Sequence, residues 1–160
     1  MSAGKRQRGF TYLGILISVA VMGAGLAAFA EIASHAAQRE REAELLFRGN
    51  QYREGIASYY KLEGRYPQSL EQLLENKGMP VRHLRKLYAD PMTGEADWVV
   101  VGAPDGGIMG VRSRSEAAPV KTGNFSILNQ SFADAQRYCD WQFVHSPPGL
   151  PPAVEKSASK

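Results

Sequence analysis

Side chains able to do covalent or metal chemistry are few in this chain and far apart. Cys139 is the single cysteine of 160 residues, so no intramolecular disulfide and no CxxC-type zinc set can form. His35, His83 and His145 show no ligand spacing. Walker, HExxH, GxSxG and dinucleotide motifs do not occur. Residues 102–107 hold Gly102, Gly106 and Gly107, but they lie between two strand-like runs. They read as a hairpin turn, since such turns favour Gly and Asp. Carboxylates are plentiful, yet none pairs with His or Ser at a recognisable spacing. Cys139 lies in a strand-like run and reads as a small core residue. An enzyme is therefore not expected, and neither is a cofactor.

Charge narrows the partners. The formal charge is +3, and Lys5, Arg6 and Arg8 account for all of it. Beyond them acidic and basic residues balance, so the clustered excess that a phosphate backbone requires is missing. Arg82, Arg85 and Lys86 form the one compact basic group, read here as a solvated helix face. No nucleic-acid partner is expected.

The amino terminus carries the informative pattern. Residues 10–30 hold no charged side chain. As a helix they span about 31 Å, close to the ~30 Å hydrocarbon thickness of a bilayer. Lys5, Arg6 and Arg8 precede the run and Glu31 follows it. The positive-inside bias then predicts a cytoplasmic amino terminus and an exported remainder. A secretory signal peptide ending at Ala28 and Ala30 is the competing reading, although its apolar region is ordinarily only ~7–15 residues.

Downstream elements follow from periodicity. Residues 33–63 contain no proline, and Leu45, Tyr52, Ile56, Tyr59 and Tyr60 mark one apolar stripe. Arg39, Glu40, Arg41, Glu42, Glu44, Arg48 and Arg53 form the expected wet side, with Glu44 and Arg48 at pairing distance. A single helix over residues 10–63 would be about 80 Å long. Gly64 ends it. Ser69 and Gln72 predict a capped short helix over 70–76, and 81–87 a further helical turn. Asp90 and Pro91 open a turn. Strands are predicted over 98–101, 108–114 and 138–145, with a long loop over 115–131. Cys139, Trp141 and Phe143 share one face of the last strand. Residues 146–160, with four prolines, are expected to be a disordered tail.

The order Lys5, Arg6, Arg8, Gly9, Phe10, Thr11 and then an apolar run resembles the class III signal of type IV pilins and type II secretion pseudopilins. The resemblance implies cleavage by a prepilin peptidase between Gly9 and Phe10, and N-methylation of Phe10. It implies a nine-residue leader, a transmembrane helix over 10–30, an amphipathic helix over 31–63 and a small head over 64–145. The implied fold is α+β, with the long helix packed on a small antiparallel sheet. Tyr66, Pro67, Asp90, Pro91 and Trp98 extend the likeness into the head. The implied partners are the peptidase, other pilin-like subunits, the inner-membrane assembly platform and the membrane itself. The implied location is the bacterial inner membrane, with the head periplasmic.

Two family features are altered. The usual glutamate at the fifth mature position is Gly14 here, which points to a minor rather than a repeating subunit. Family members often bind calcium, which takes six to eight oxygen ligands. Asp97, Asp105, Asp134 and Asp140 are available, but no short aspartate-rich loop holds them, so they read as turn and surface residues. A single-pass membrane-anchored periplasmic binding module is the alternative function.

Overall fold

The computed structural model describes residues 8–74, 82–104 and 106–147, with the side chains of 8–11 and 23–33 outside the description. The chain divides into two compact units, Met1–Gln38 and Arg39–Lys160. Helix α1 is assigned over Arg8–Glu63, and its parts are described within their own units. The second unit is α+β, with a three-stranded antiparallel sheet in the order β1-β2-β3.

The sheet comprises β1 (Val99–Gly102), β2 (Ile108–Arg112) and β3 (Gln142–Val144). Val99 faces Arg112 and Val101 faces Gly110, with a bulge between Val101 and Gly102. Gly110 faces Val144 across the second ladder. The β1–β2 connection is the expected hairpin. Ala103 N–H donates to the Gly107 carbonyl at 2.9 Å, and Gly106 and Gly107 take φ of 96° and 85°. Only glycine enters that region at little cost.

Residues 39–63 of α1 supply the other half of the core. Leu45, Tyr52 and Ile56 are fully buried in one cluster with Trp98, Val111, Trp141 and Phe143. Tyr52 meets Trp98 edge-on at 5.4 Å, and its hydroxyl accepts the Tyr88 N–H at 2.8 Å. Tyr59 and Tyr60 are only half-buried. Replacing Ile56 by alanine is expected to cost roughly 2–5 kcal/mol, the range for a buried large-to-small change. Thermal unfolding of the full chain in detergent measures it, and an unchanged midpoint would mean that Ile56 does not hold the head.

Several expected elements are corrected. The short helix is a 3₁₀ turn over Leu70–Leu73, and Ser69 gives it no side-chain cap. The Gln72 side-chain carbonyl instead accepts the Gln68 N–H at 2.8 Å. Residues 82–87 are irregular rather than helical. Their backbone is taken up elsewhere: Leu84 N–H donates to Leu73 at 3.0 Å, and the His83 carbonyl lies against Gly55. Arg82, Arg85 and Lys86 therefore sit on no helix face.

The third strand starts later than its apolar alternation predicts. Tyr138–Asp140 is a 3₁₀ turn, because Tyr138 and Cys139 donate their N–H groups to the carbonyls of Ala117 and Ser115 and not to β2. The alternation survives: Cys139, Trp141 and Phe143 are buried while Asp140 and Gln142 are intermediate. The expected loop over 115–131 runs into a 3₁₀ segment, Ile127–Asp134. Residues 1–7, 75–81, 105 and 148–160 lie outside the described residues. The leader residues Lys5 and Arg6, the end of the predicted short helix, Asp105 and most of the expected tail fall there.

Candidate functional site

Three charged side chains expected in solvent or in a simple turn are buried. Glu42 is 2% exposed and Arg53 8%, although both belong to the expected wet side of the helix. Glu42 Oε1 accepts three hydrogen bonds, from the Tyr138 hydroxyl at 2.7 Å, from Val120 N–H and from Lys121 N–H at 3.2 Å. Two backbone donors and a phenol satisfy a carboxylate without a counter-ion.

Arg53 mirrors this arrangement about 16 Å further along the helix axis. Its guanidinium donates to the Leu128 carbonyl at 3.1 Å and to Asn129 Oδ1 at 2.8 Å. It also lies 5.6 Å from the Phe143 ring centroid. Burial lowers its pKa from the usual arginine value. The segment 120–129 is thus a strap, tied at one end by a helix carboxylate and at the other by a helix guanidinium.

Asp90 is the third position. It is fully buried. Its carboxylate accepts from Met92 N–H at 2.9 Å and from the Ser113 hydroxyl at 2.6 Å. It therefore clamps the Asp90–Pro91 turn to the end of β2 and serves the fold.

Between helix and strap runs a groove of about 370 Å³, lined by Arg39, Glu42, Ala43, Leu46, Val120 and the 121–123 turn. Among the described residues, Arg39 has no carboxylate partner. Lys121 lies 5.1 Å from the Phe125 ring centroid and likewise forms no ion pair among them.

The first unit presents a different surface. Its described side chains over 12–22 are all exposed, and they include Tyr12, Leu13, Ile15, Leu16, Ile17, Val19, Val21 and Met22. Ser18 turns its hydroxyl back onto the Gly14 carbonyl at 2.9 Å, which satisfies that group within the helix. A Cβ at Gly14 would meet nothing within 4 Å. Among the described residues no helix is long and apolar enough to cross a membrane. The expected span over 10–30 includes positions 10–11 and 23–30, whose side chains lie outside the description. Arg8 of the expected leader and Gly9 and Phe10 of the expected cleavage site fall within α1, and their side chains are likewise outside the description.

The remaining candidates are accounted for locally. Asp97 accepts the Thr93 hydroxyl at 2.6 Å and faces Arg114 at 3.6 Å. Asp140 pairs with Arg137 at 3.3 Å. Asp134 closes the 3₁₀ segment after Ile127. Among the described residues, no three His, Cys, Asp or Glu side chains are grouped to hold a metal ion. Cys139 is buried, and burial pushes its thiol pKa up. That favours the unreactive protonated form. His83 Nδ1 lies 2.8 Å from the Ser58 hydroxyl, a pair that joins residues 82–89 to the helix. His145 titrates lower than an ordinary histidine because partial burial disfavours its cation.

No family model, curated protein or solved structure matches the chain.

Proposed function

We propose that this chain is a pilin-like subunit of a type II secretion pseudopilus or type IV pilus. It is made as a precursor, cut by a prepilin peptidase between Gly9 and Phe10, methylated on Phe10 and held in the inner membrane by residues 10–30. Its head is periplasmic, and it enters a filament through its amino-terminal helix. The chain does no chemistry of its own; it is the substrate of the peptidase.

The observation that carries this reading is the uncharged run 10–30 behind Lys5, Arg6, Arg8 and Gly9. The described part of that run supports it, because apolar side chains are exposed along 12–22. Such a surface is stable in lipid or against other helices and costly in water. The α+β second unit, with residues 39–63 of α1 in its core, is compatible with a pilin-like head on a long helix. Gly14 supplies no carboxylate to pair with a neighbour's terminal amine. An unpaired ammonium in hydrocarbon costs at least ~2.5–3.5 kcal/mol on the insertion scale, so a minor subunit fits better than a repeating one.

Intact mass of the purified protein tests the reading. A mature chain beginning with N-methyl-Phe10 is expected, at low stoichiometry in any filament. Gly9→Val is expected to leave a membrane-bound precursor that retains its leader. A Gly9→Val protein that matures normally, or a chain beginning near Glu31, would overturn it. The groove beside Glu42 favours one other reading, a single-pass anchored periplasmic binding module, and an intact Met1 terminus would select that one.

A further inference from the structure

The groove between helix and strap combines three features that the core does not use. Its floor is apolar, made by Ala43, Leu46 and Val120. Its rim carries Arg39 and Lys121, neither with a carboxylate partner among the described residues. Its wall includes Glu42, whose hydrogen bonds all fall on Oε1; among the described residues Oε2 has none. Oε2 is not among the buried side-chain atoms left without a partner, so it is an acceptor that solvent or a ligand can reach.

The apolar surface also continues past the groove. Phe47, one helical turn beyond Ala43, is 57% exposed. Residues four apart on a helix are neighbours, so Ala43 and Phe47 carry the apolar surface further along the helix. The chemistry of the groove fits a polypeptide segment with aliphatic side chains on the floor, a carboxylate between Arg39 and Lys121, and a backbone N–H or hydroxyl on Glu42 Oε2.

We propose that this groove is a docking site for a second protein, which inserts an acidic–aliphatic segment between α1 and the 120–129 strap. Charge complementarity selects the partner. Apolar contact anchors it, and Arg39 and Lys121 reject basic segments. That this partner is a fellow filament subunit rests on the function proposed above; the chemistry of the groove does not. Glu42 serves both sides of the site, because the oxygen that holds the strap belongs to the same carboxylate that faces the partner.

Site-specific photo-crosslinking in the full chain, in native membranes, tests the docking. A benzoylphenylalanine at Thr122, on the groove wall, is compared with one at Glu95, on the exposed turn after Asp90. The crosslinked peptide is sequenced by mass spectrometry. The expected result is one foreign peptide with a carboxylate beside aliphatic residues, captured from Thr122 and not from Glu95. Its yield should fall several-fold in Arg39→Glu/Lys121→Glu, and also in the milder Arg39→Gln/Lys121→Gln should the double reversal not fold. Adducts only with phospholipid or with another copy of this chain, a basic peptide, no adduct, or a yield indifferent to both charge variants would each overturn the proposal. The amino terminus is read on the same sample. Capture with an intact Met1 keeps the docking site and removes the filament reading; N-methyl-Phe10 without capture does the reverse.

Discussion

Glu42→Ala is expected to destabilise the head by roughly 2–5 kcal/mol. The substitution removes the acceptor from Val120 N–H, Lys121 N–H and the Tyr138 hydroxyl together. A buried donor left without a partner costs about 1–3 kcal/mol, and water entering through the open groove recovers part of the total. Glu42→Gln is the informative companion. Its amide oxygen can keep the Oε1 bonds, so its loss should stay under about 1.5 kcal/mol. Urea or thermal unfolding of the full chain in detergent compares the two. Equal losses for both variants would mean that the negative charge, and not the acceptor oxygen, holds the strap. An alanine variant that unfolds with the wild type would remove Glu42 from the fold altogether.

Gly49→Ala is expected to destabilise the head as well, against the helix rule. Alanine is favoured over glycine in a helix by about 1 kcal/mol, so the change should stabilise if propensity decided. A Cβ at Gly49 would instead overlap the ring of Phe143. That ring is held by Phe132 at 5.1 Å and Trp98 at 6.4 Å, each edge-to-face, and by the Arg53 guanidinium. It has no easy retreat, and overpacking of this kind costs ~1–3 kcal/mol or more. The double variant Gly49→Ala/Phe143→Leu should recover part of the loss, since contacting residues couple by about 0.5–3 kcal/mol. Stabilisation by Gly49→Ala alone would show that helix and sheet are not in such close contact.

Both effects arise at helix positions that composition misreads. Residues 42, 45, 49, 52 and 56 repeat at intervals of three and four, the period of a buried stripe. Glu42 and Gly49 occupy two of those places. Residue type places Glu42 on the wet side and gives Gly49 no apolar side chain to count, although their spacing puts both inside. The legible signal was the position, and residue type concealed it. Arg53 lies next to Tyr52 and has no such signal. Its burial depends on Leu128 and Asn129, more than seventy residues away.

The sequence by itself determined the uncharged run 10–30, the apolar stripe of Leu45, Tyr52 and Ile56, the hairpin at 102–107 and the inward face of Cys139, Trp141 and Phe143. These are local features. Helical and strand periods, turn residues and charge density act over a few neighbours, so they can be read along the chain. Tertiary structure alone decided the 3₁₀ segments, the strap and the burial of Glu42, Arg53 and Asp90. A carboxylate or guanidinium enters a core only when donors or acceptors meet it there. The groups that meet these three come from the Val120–Lys121, Leu128–Asn129, Ser113 and Tyr138 segments, which no local pattern connects to them. Tyr138 provides the sharpest case: its hydroxyl reaches Glu42 across ninety-six positions, and that contact exists only once the helix, the strap and the last strand have packed together.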